Sequence, residues 1–125
     1  MDKNSNDSAD SIMTDVNLKN IEILDHANVE LYFLNSHDGR PCKKILCYNV
    51  FNFSFGTCGD IEEFPVFICD VKLQTLKGEE AQPVLNSFPN AFKLSEQKEC
   101  QFLLLESGEI RISIICESVG QEDES

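Results

Sequence analysis

A chain of 125 residues has room for one domain, whose core can form without metal or disulfide staples. The hydrophobic content of 42% excludes global disorder, and nine Phe with no Trp make Phe the main bulky core material. The formal charge of −12 would repel the phosphates of nucleic acid and of anionic membranes, so neither is expected as a partner.

The two ends of the chain are polar and acidic. Residues 1–16 and 120–125 together carry seven acids and one base, so half of the charge of −12 lies there. Residues 1–16 have no apolar periodicity and no signal-peptide core, which predicts a disordered leader. The expected organisation is therefore this leader, a single β-rich domain at 17–119, and an acidic tail at 120–125.

Compartment is indicated by the six cysteines and by the absence of targeting signals. No apolar run approaches the roughly 20 residues that a membrane-spanning helix needs. Without a secretory signal, the cysteines are expected to remain thiols in a reducing cytosol rather than to form a disulfide framework. We therefore expect a cytoplasmic protein that does not contact a membrane.

Period-2 alternation of apolar side chains dominates the middle of the chain and predicts β-strands. Two early strands are expected at 21–24 and 29–35, separated by Asp25–Asn28. Residues 35–41 then cluster turn-forming side chains, with Gly39 supplying the positive φ of a tight turn.

Two further strands are predicted in the centre of the chain. The first spans 45–55 and places on one face Ile45, Cys47, Asn49, Phe51, Phe53 and Phe55. The second spans 64–73, with Pro65 at its start or on an edge, and places on one face Phe67, Cys69, Val71 and Leu73. The stretch 75–99 gives no clear pattern beyond a short helical turn near 90–97.

The C-terminal part predicts a β-hairpin. Residues 100–106 and 109–117 alternate on either side of the turn Ser107-Gly108. The second arm is expected to face inward with Ile110, Ile112, Ile114 and Cys116. The predicted fold class is mainly β, an antiparallel sandwich or partly open barrel with at most one or two short helices.

Linear motifs for catalysis, metal binding and phosphate binding are absent from the sequence. There is no C-x-x-C, no calcium loop, no P-loop and no G-x-G-x-x-G. His37, beside Asp38, is interpreted as a solvated turn residue rather than as the partner of a nucleophilic Cys42. Cys58 is the candidate exposed thiol. Packing as small hydrophobes is expected for Cys47, Cys69 and Cys116. No catalytic residue, metal or cofactor is predicted.

Acidic side chains cluster in two predicted loops. As solvated charges they would discourage association between sheet edges. As a patch they would meet a basic partner and speed its encounter. On the second interpretation, the partner-binding residues are Asp60, Glu62, Glu63, Glu79 and Glu80.

The strand patterns Phe64-Pro-Val-Phe-Ile-Cys-Asp-Val71 and Phe102-Leu-Leu-Leu-Glu-Ser-Gly-Glu-Ile-Arg-Ile-Ser-Ile-Ile-Cys-Glu117 resemble small bacterial cytosolic β-domain families. Many of these are uncharacterised, and some are immunity proteins of polymorphic toxin systems. The resemblance implies a non-enzymatic protein that binds and blocks a cognate toxin. It carries over no functional residue.

The expected function is that of a cytosolic protein-binding domain, an immunity-type inhibitor whose acidic loops bind a basic protein. One alternative is a structural β-module that forms homodimers. Another is a small-ligand-binding or enzymatic barrel with a cavity lined by Phe51, Phe53 and Phe55.

Overall fold

Six strands make up most of the computed structural model, which describes residues 10–57, 65–77, 99–108 and 110–124. In chain order these strands are β1 (Asp10–Leu24), β2 (Asn28–Asn35), β3 (Pro41–Thr57), β4 (Val66–Lys77), β5 (Glu99–Glu106) and β6 (Ile110–Asp123), and a short 3₁₀-helix, Asp25–Ala27, joins β1 to β2. All pairings are antiparallel, and the order β1-β2-β3-β6-β5-β4 closes into a barrel through contact of β4 with β1. The predicted mainly antiparallel β class is confirmed, and the sheet closes rather than remaining partly open.

Two turns that the sequence predicts connect neighbouring strands. Between β2 and β3, Gly39 has a φ of 71° and its N–H donates to the Asn35 carbonyl at 2.9 Å. Between β5 and β6, the Ser107 N–H donates to the Ile110 carbonyl at 2.9 Å, and the Ile110 N–H donates to Ser107 Oγ at 3.2 Å. The predicted hairpin is therefore confirmed, but its connection is longer than the predicted two residues, because β5 ends at Glu106 and β6 begins at Ile110.

The interior of the barrel is filled by apolar side chains from all six strands. The buried cluster consists of Val16, Leu18, Val29, Leu31, Phe33, Ile45, Cys47, Ile68, Val71, Leu103, Leu105, Ile110, Ile112, Ile114 and Cys116. It includes the four β6 residues that the sequence predicts to face inward. Burying one such side chain stabilises the fold by about 1.5–3 kcal/mol, so a one-residue slip of β6 would be strongly destabilising.

The predicted inward face of β4 is wrong in its first half. Phe67 is 46% exposed and Cys69 is also exposed, whereas Ile68 and Val71 are fully buried. The alternation changes phase between Ile68 and Val71, opposite Asp15 of β1, which has a φ of 53°. The phase change coincides with irregular backbone on the partner strand, whose register with β4 also shifts between Ser11 and Met13.

The single apolar face predicted for 45–55 is also interrupted. Ile45 and Cys47 are buried, but Asn49 is exposed with a φ of 57°, and the register with β6 shifts between Val50 and Asn52. This bulge lets β3 bend, so that its first half pairs with β2 and its second half pairs only with β6 among the described strands.

The predicted leader at 1–16 is too long. β1 begins at Asp10, and its first half pairs with β4, with Met13 opposite Val71. Ile12 and Met13 pack against the core. Closing the barrel requires this pairing, and backbone hydrogen bonds form whatever the polarity of the side chains.

The predicted tail at 120–125 is likewise mostly strand, because β6 continues to Asp123. Its acids meet two lysines of β3: Lys43 Nζ lies 3.8 Å from Asp123 Oδ1, and Lys44 Nζ lies 3.5 Å from Glu122 Oε1. The Glu124 N–H then donates to the Cys42 carbonyl at 3.0 Å. Opposite charge on the neighbouring strand therefore accommodates an acidic segment that composition alone assigns to a tail.

Candidate functional site

The acidic loop residues that the sequence predicts as partner-binding lie outside the described residues. These are Asp60, Glu62, Glu63, Glu79 and Glu80. Cys58, the side chain of Phe51 and the predicted helical turn near 90–97 also lie outside them. A candidate site is therefore sought on the described surface of the barrel.

Three other observations on the described residues bear on the kind of functional site. His37 is exposed in the β2–β3 turn, as predicted. No group of three His, Cys, Asp or Glu side chains in the described ranges is arranged to hold a metal ion. No helix among these residues is long and apolar enough to cross a membrane.

The outer surface of β1, β2, β3 and β6 presents three rows of side chains that run across the strands. The row pairs follow from the register: Leu24 with Asn28, Glu22 with Glu30, and Asn20 with Tyr32 between β1 and β2. We call this surface the acidic face, formed by Asn20, Glu22, Leu24, Asn28, Glu30, Tyr32, Lys44, Leu46, Tyr48, Ser118, Gly120 and Glu122.

Two carboxylates, Glu22 and Glu30, lie directly opposite each other at the centre of the acidic face. Like charges at opposed positions destabilise a sheet by about 0.2–1 kcal/mol. Neither carboxylate forms an ion pair with a described Lys or Arg. From the described residues, Glu22 accepts only a long hydrogen bond of 3.4 Å, donated by the Asn20 amide. This pair therefore carries negative charge that the described sheet does not neutralise by a direct ion pair.

Tyr32 holds the Glu30 carboxylate in place. Its hydroxyl donates a hydrogen bond to Glu30 Oε1. This hydrogen bond, followed by burial and by the charges of Glu30 and Glu22, raises the pKa of Tyr32 to about 12. The phenol therefore stays protonated and remains a donor throughout the physiological pH range.

Lys44 is the one cation in the rows of the acidic face, and it is directed to Glu122 rather than to Glu22. Its Nζ lies 5.7 Å from the centre of the Tyr32 ring, at the outer limit of a cation–π contact. Burial lowers the pKa of Lys44, but the charges of Glu122 and Glu30 outweigh it and raise that pKa overall. Lys44 therefore stays charged, yet it leaves the Glu22–Glu30 pair without a bonded cation.

The outer surface of β4, β5 and β6 is balanced in charge, in contrast to the acidic face. Lys72 Nζ lies 3.9 Å from Asp70 Oδ2 and 3.6 Å from Glu106 Oε1, and Arg111 Nε lies 4.0 Å from Glu106 Oε2. The Ser11 hydroxyl also donates to Asp70 Oδ1 at 2.5 Å. Two acids and two bases alternate here across three strands, so within the described ranges this surface lacks the acidic excess of the acidic face.

The described cysteines are free thiols, and the surroundings of the most deeply buried ones make them unreactive. Cys47 and Cys116 are fully buried, as predicted. A hydrogen bond with Cys47, together with burial, raises the pKa of the Cys116 thiol well above its usual value. Burial also raises the pKa of Cys100 to about 11. Because the thiolate is the reactive form, these positions do not suit nucleophilic chemistry.

Sequence reasoning missed the acidic face, although part of its signal was present. The strands predicted at 21–24 and 29–35, joined by four residues, can pair as a hairpin that places Glu22 opposite Glu30. The positions of Tyr48 and Glu122 depend on the pairing of β3 with β6, which are separated in the chain by more than fifty residues. That long-range pairing leaves no local pattern.

Comparisons with known proteins agree with this fold and assign no activity. No curated protein matches the chain. An uncharacterised protein from Neisseria gonorrhoeae, known from a crystal structure, is similar with a TM-score of 0.63 and 22% identity, over 92% of this chain and 97% of that one. At this identity the likeness shows the fold alone. A protein-family model matches residues 11–123, which is most of the chain, and the protein therefore belongs to the family that this model represents.

Proposed function

We propose that this protein is a binding domain that captures a basic protein partner on its acidic face, as an immunity-type inhibitor captures a toxin. The observation that carries the proposal is the opposed pair Glu22 and Glu30, held by Tyr32 and free of ion pairs with described Lys or Arg. Such a pair lowers the stability of the isolated sheet. A cationic group on a partner would remove that penalty on binding.

The contrast between the two outer surfaces supports this proposal. Asp70 and Glu106 are neutralised by Lys72 and Arg111 within the sheet. The acidic face lacks this internal compensation at its centre. A field of one sign at a defined surface steers an oppositely charged protein and raises the rate of association.

The proposal places the protein in the cytosol and gives it no catalytic step. The cytosolic compartment is the expectation from the sequence, in which the six cysteines are assigned as thiols. Homodimer formation is the competing proposal, and it is distinguished by the mass of the protein in solution over a range of concentrations.

The test is a pair of charge reversals on one strand, Glu22→Lys and Asp10→Lys. Both residues are exposed on β1, and both changes shift the net charge equally, but only Glu22 opposes another carboxylate. Glu22→Lys is expected to raise the free energy of unfolding by about 0.2–1 kcal/mol, because repulsion becomes attraction. It is also expected to reduce capture of the partner from native cytosol. The control Asp10→Lys should change neither quantity to the same extent.

Added salt provides a second measurement. Capture through exposed charges should weaken between low and physiological ionic strength, because charges farther apart than about 10 Å are screened at 0.1 M salt. Capture that is indifferent to salt and to Glu22→Lys would remove the electrostatic mechanism and with it the proposed function.

A further inference from the structure

Beside the carboxylate pair, the acidic face carries an apolar patch formed by exposed Leu24 and Tyr48 and by half-buried Leu46. Leu24 is 40% exposed and Tyr48 is 41% exposed, and both lie on the row next to Glu22 and Glu30. Isolated apolar side chains on a surface need no explanation, but adjacent ones mark interaction sites. Leu24 belongs to β1, and Leu46 and Tyr48 belong to β3, with Asn28 and Glu30 of β2 between the two strands.

Small residues of β6 keep the patch accessible. Ser118 lies opposite Tyr48, and Gly120 lies opposite Leu46. A Cβ atom added to Gly120 would lie 3.5 Å from Cε2 of Tyr48 and 4.0 Å from Cδ1 of Leu46, so both side chains rest against the glycine backbone. The ring and the leucine therefore lie along the surface of β6 and present one side to solvent.

Carboxylates surround this patch on the described surface. Glu30 lies directly opposite Leu46, and Glu22 lies opposite Glu30 on the row next to Leu24. Asp25 follows Leu24 in the chain, and Glu117 accepts a hydrogen bond of 3.3 Å from the side-chain amide of Asn49, the residue after Tyr48. None of the four forms an ion pair with a Lys or Arg in the described ranges. An apolar group that approaches the patch therefore enters a negative field, which favours an occupant with positive charge on both sides of it.

We infer that the occupant is a partner segment in which a large apolar side chain lies between arginine or lysine side chains, with the apolar group on Leu24, Leu46 and Tyr48 and a cation between Glu22 and Glu30. This inference rests on the proposed function and specifies its partner. Adjacent rows of one strand lie about 7 Å apart, because each residue rises about 3.4 Å. That spacing matches side chains two residues apart in an extended segment, or about four residues apart on a helix.

The experiment uses two synthetic peptides of equal length and equal arginine content, one with leucine between arginines and the other with serine at the leucine positions. Each is titrated into the full chain at low salt. The protein has no Trp and two Tyr, and the peptides contain no aromatic residue, so tyrosine fluorescence reports binding. The leucine peptide is expected to bind about fivefold more tightly, which corresponds to about 1 kcal/mol.

Variants assign this preference to the patch. Tyr48→Ser and, separately, Leu24→Ser should each reduce the preference for leucine towards unity, and the second reports through the wild-type tyrosines. The control Phe67→Ser removes an aromatic side chain of similar exposure from β4, outside the acidic face, and should leave the preference intact. Circular dichroism establishes that each variant is folded.

The outcomes separate the two proposals. Equal binding of both peptides, weakened by salt and by Glu22→Lys, would overturn the apolar inference and leave the electrostatic function standing. A leucine preference that survives both Tyr48→Ser and Leu24→Ser would overturn the patch as its cause. Absence of salt-sensitive binding for either peptide would contradict the proposed function itself.

Discussion

Substitutions at two adjacent residues of β4 can test which side chains of this strand face the core. The sequence pattern predicts Phe67 inside and Ile68 outside, whereas the structure buries Ile68 fully and leaves Phe67 46% exposed. Thr is β-branched and suits a strand, so strand propensity is preserved at both positions. The two variants, Phe67→Thr and Ile68→Thr, therefore differ mainly in what the lost side chain contacted.

The expected costs follow from burial. Ile68→Thr removes a methylene-sized group, at about 0.5–1.5 kcal/mol, and buries a hydroxyl, at about 1–3 kcal/mol, so a loss of about 2–4 kcal/mol is expected. A fully buried Phe removes about 150–250 Å² from water, so the covered half of Phe67 contributes about 2–3 kcal/mol. Thr retains part of that contact, which leaves a loss of about 1–2 kcal/mol.

Urea unfolding followed by far-UV circular dichroism measures both free energies. The slope of the unfolding free energy against urea concentration should be the same for both variants if they unfold by the same transition. In thermal scans, Ile68→Thr should lower Tm by on the order of 10 °C and Phe67→Thr by a few degrees. A loss for Phe67→Thr equal to or larger than that for Ile68→Thr would refute the phase change in β4.

Two chemical predictions follow from the pKa directions. In a Tyr48→Phe background, Tyr32 is the single tyrosine, and its absorbance should titrate with a pKa of about 12; adding Glu30→Gln should lower that pKa, because an uncharged amide no longer favours the protonated phenol. No change with Glu30→Gln would contradict the Tyr32–Glu30 hydrogen bond. Brief alkylation of the native protein, mapped by peptide mass, should modify exposed Cys69 before buried Cys116, and equal rates would contradict the core assignment.

The candidate site was less accessible to sequence reasoning than the fold was. Local patterns predict the strands and the turns at Gly39 and Ser107-Gly108, because side-chain alternation and turn chemistry act over a few residues. The acidic face combines Glu22 and Glu30 from one hairpin with Tyr48 of β3. The acids that the sequence singled out, from Asp60 to Glu80, lie outside the described residues, so their role stays a prediction.

The sequence by itself determined the antiparallel β class, the hairpin of β5 and β6 and the inward set that ends at Cys116, since each depends on period-2 patterning within one segment. Only the tertiary structure decided that the barrel closes, because closure pairs the polar start of β1, from Asp10, with β4. The tertiary structure also decided where the inward–outward alternation of side chains fails, at Asn49 and opposite Asp15. The positive φ of these two residues depends on the curvature of the strands rather than on local composition. Composition gives only the total charge of −12. Strand pairing determines which acidic side chains on the surface are left without a nearby cation.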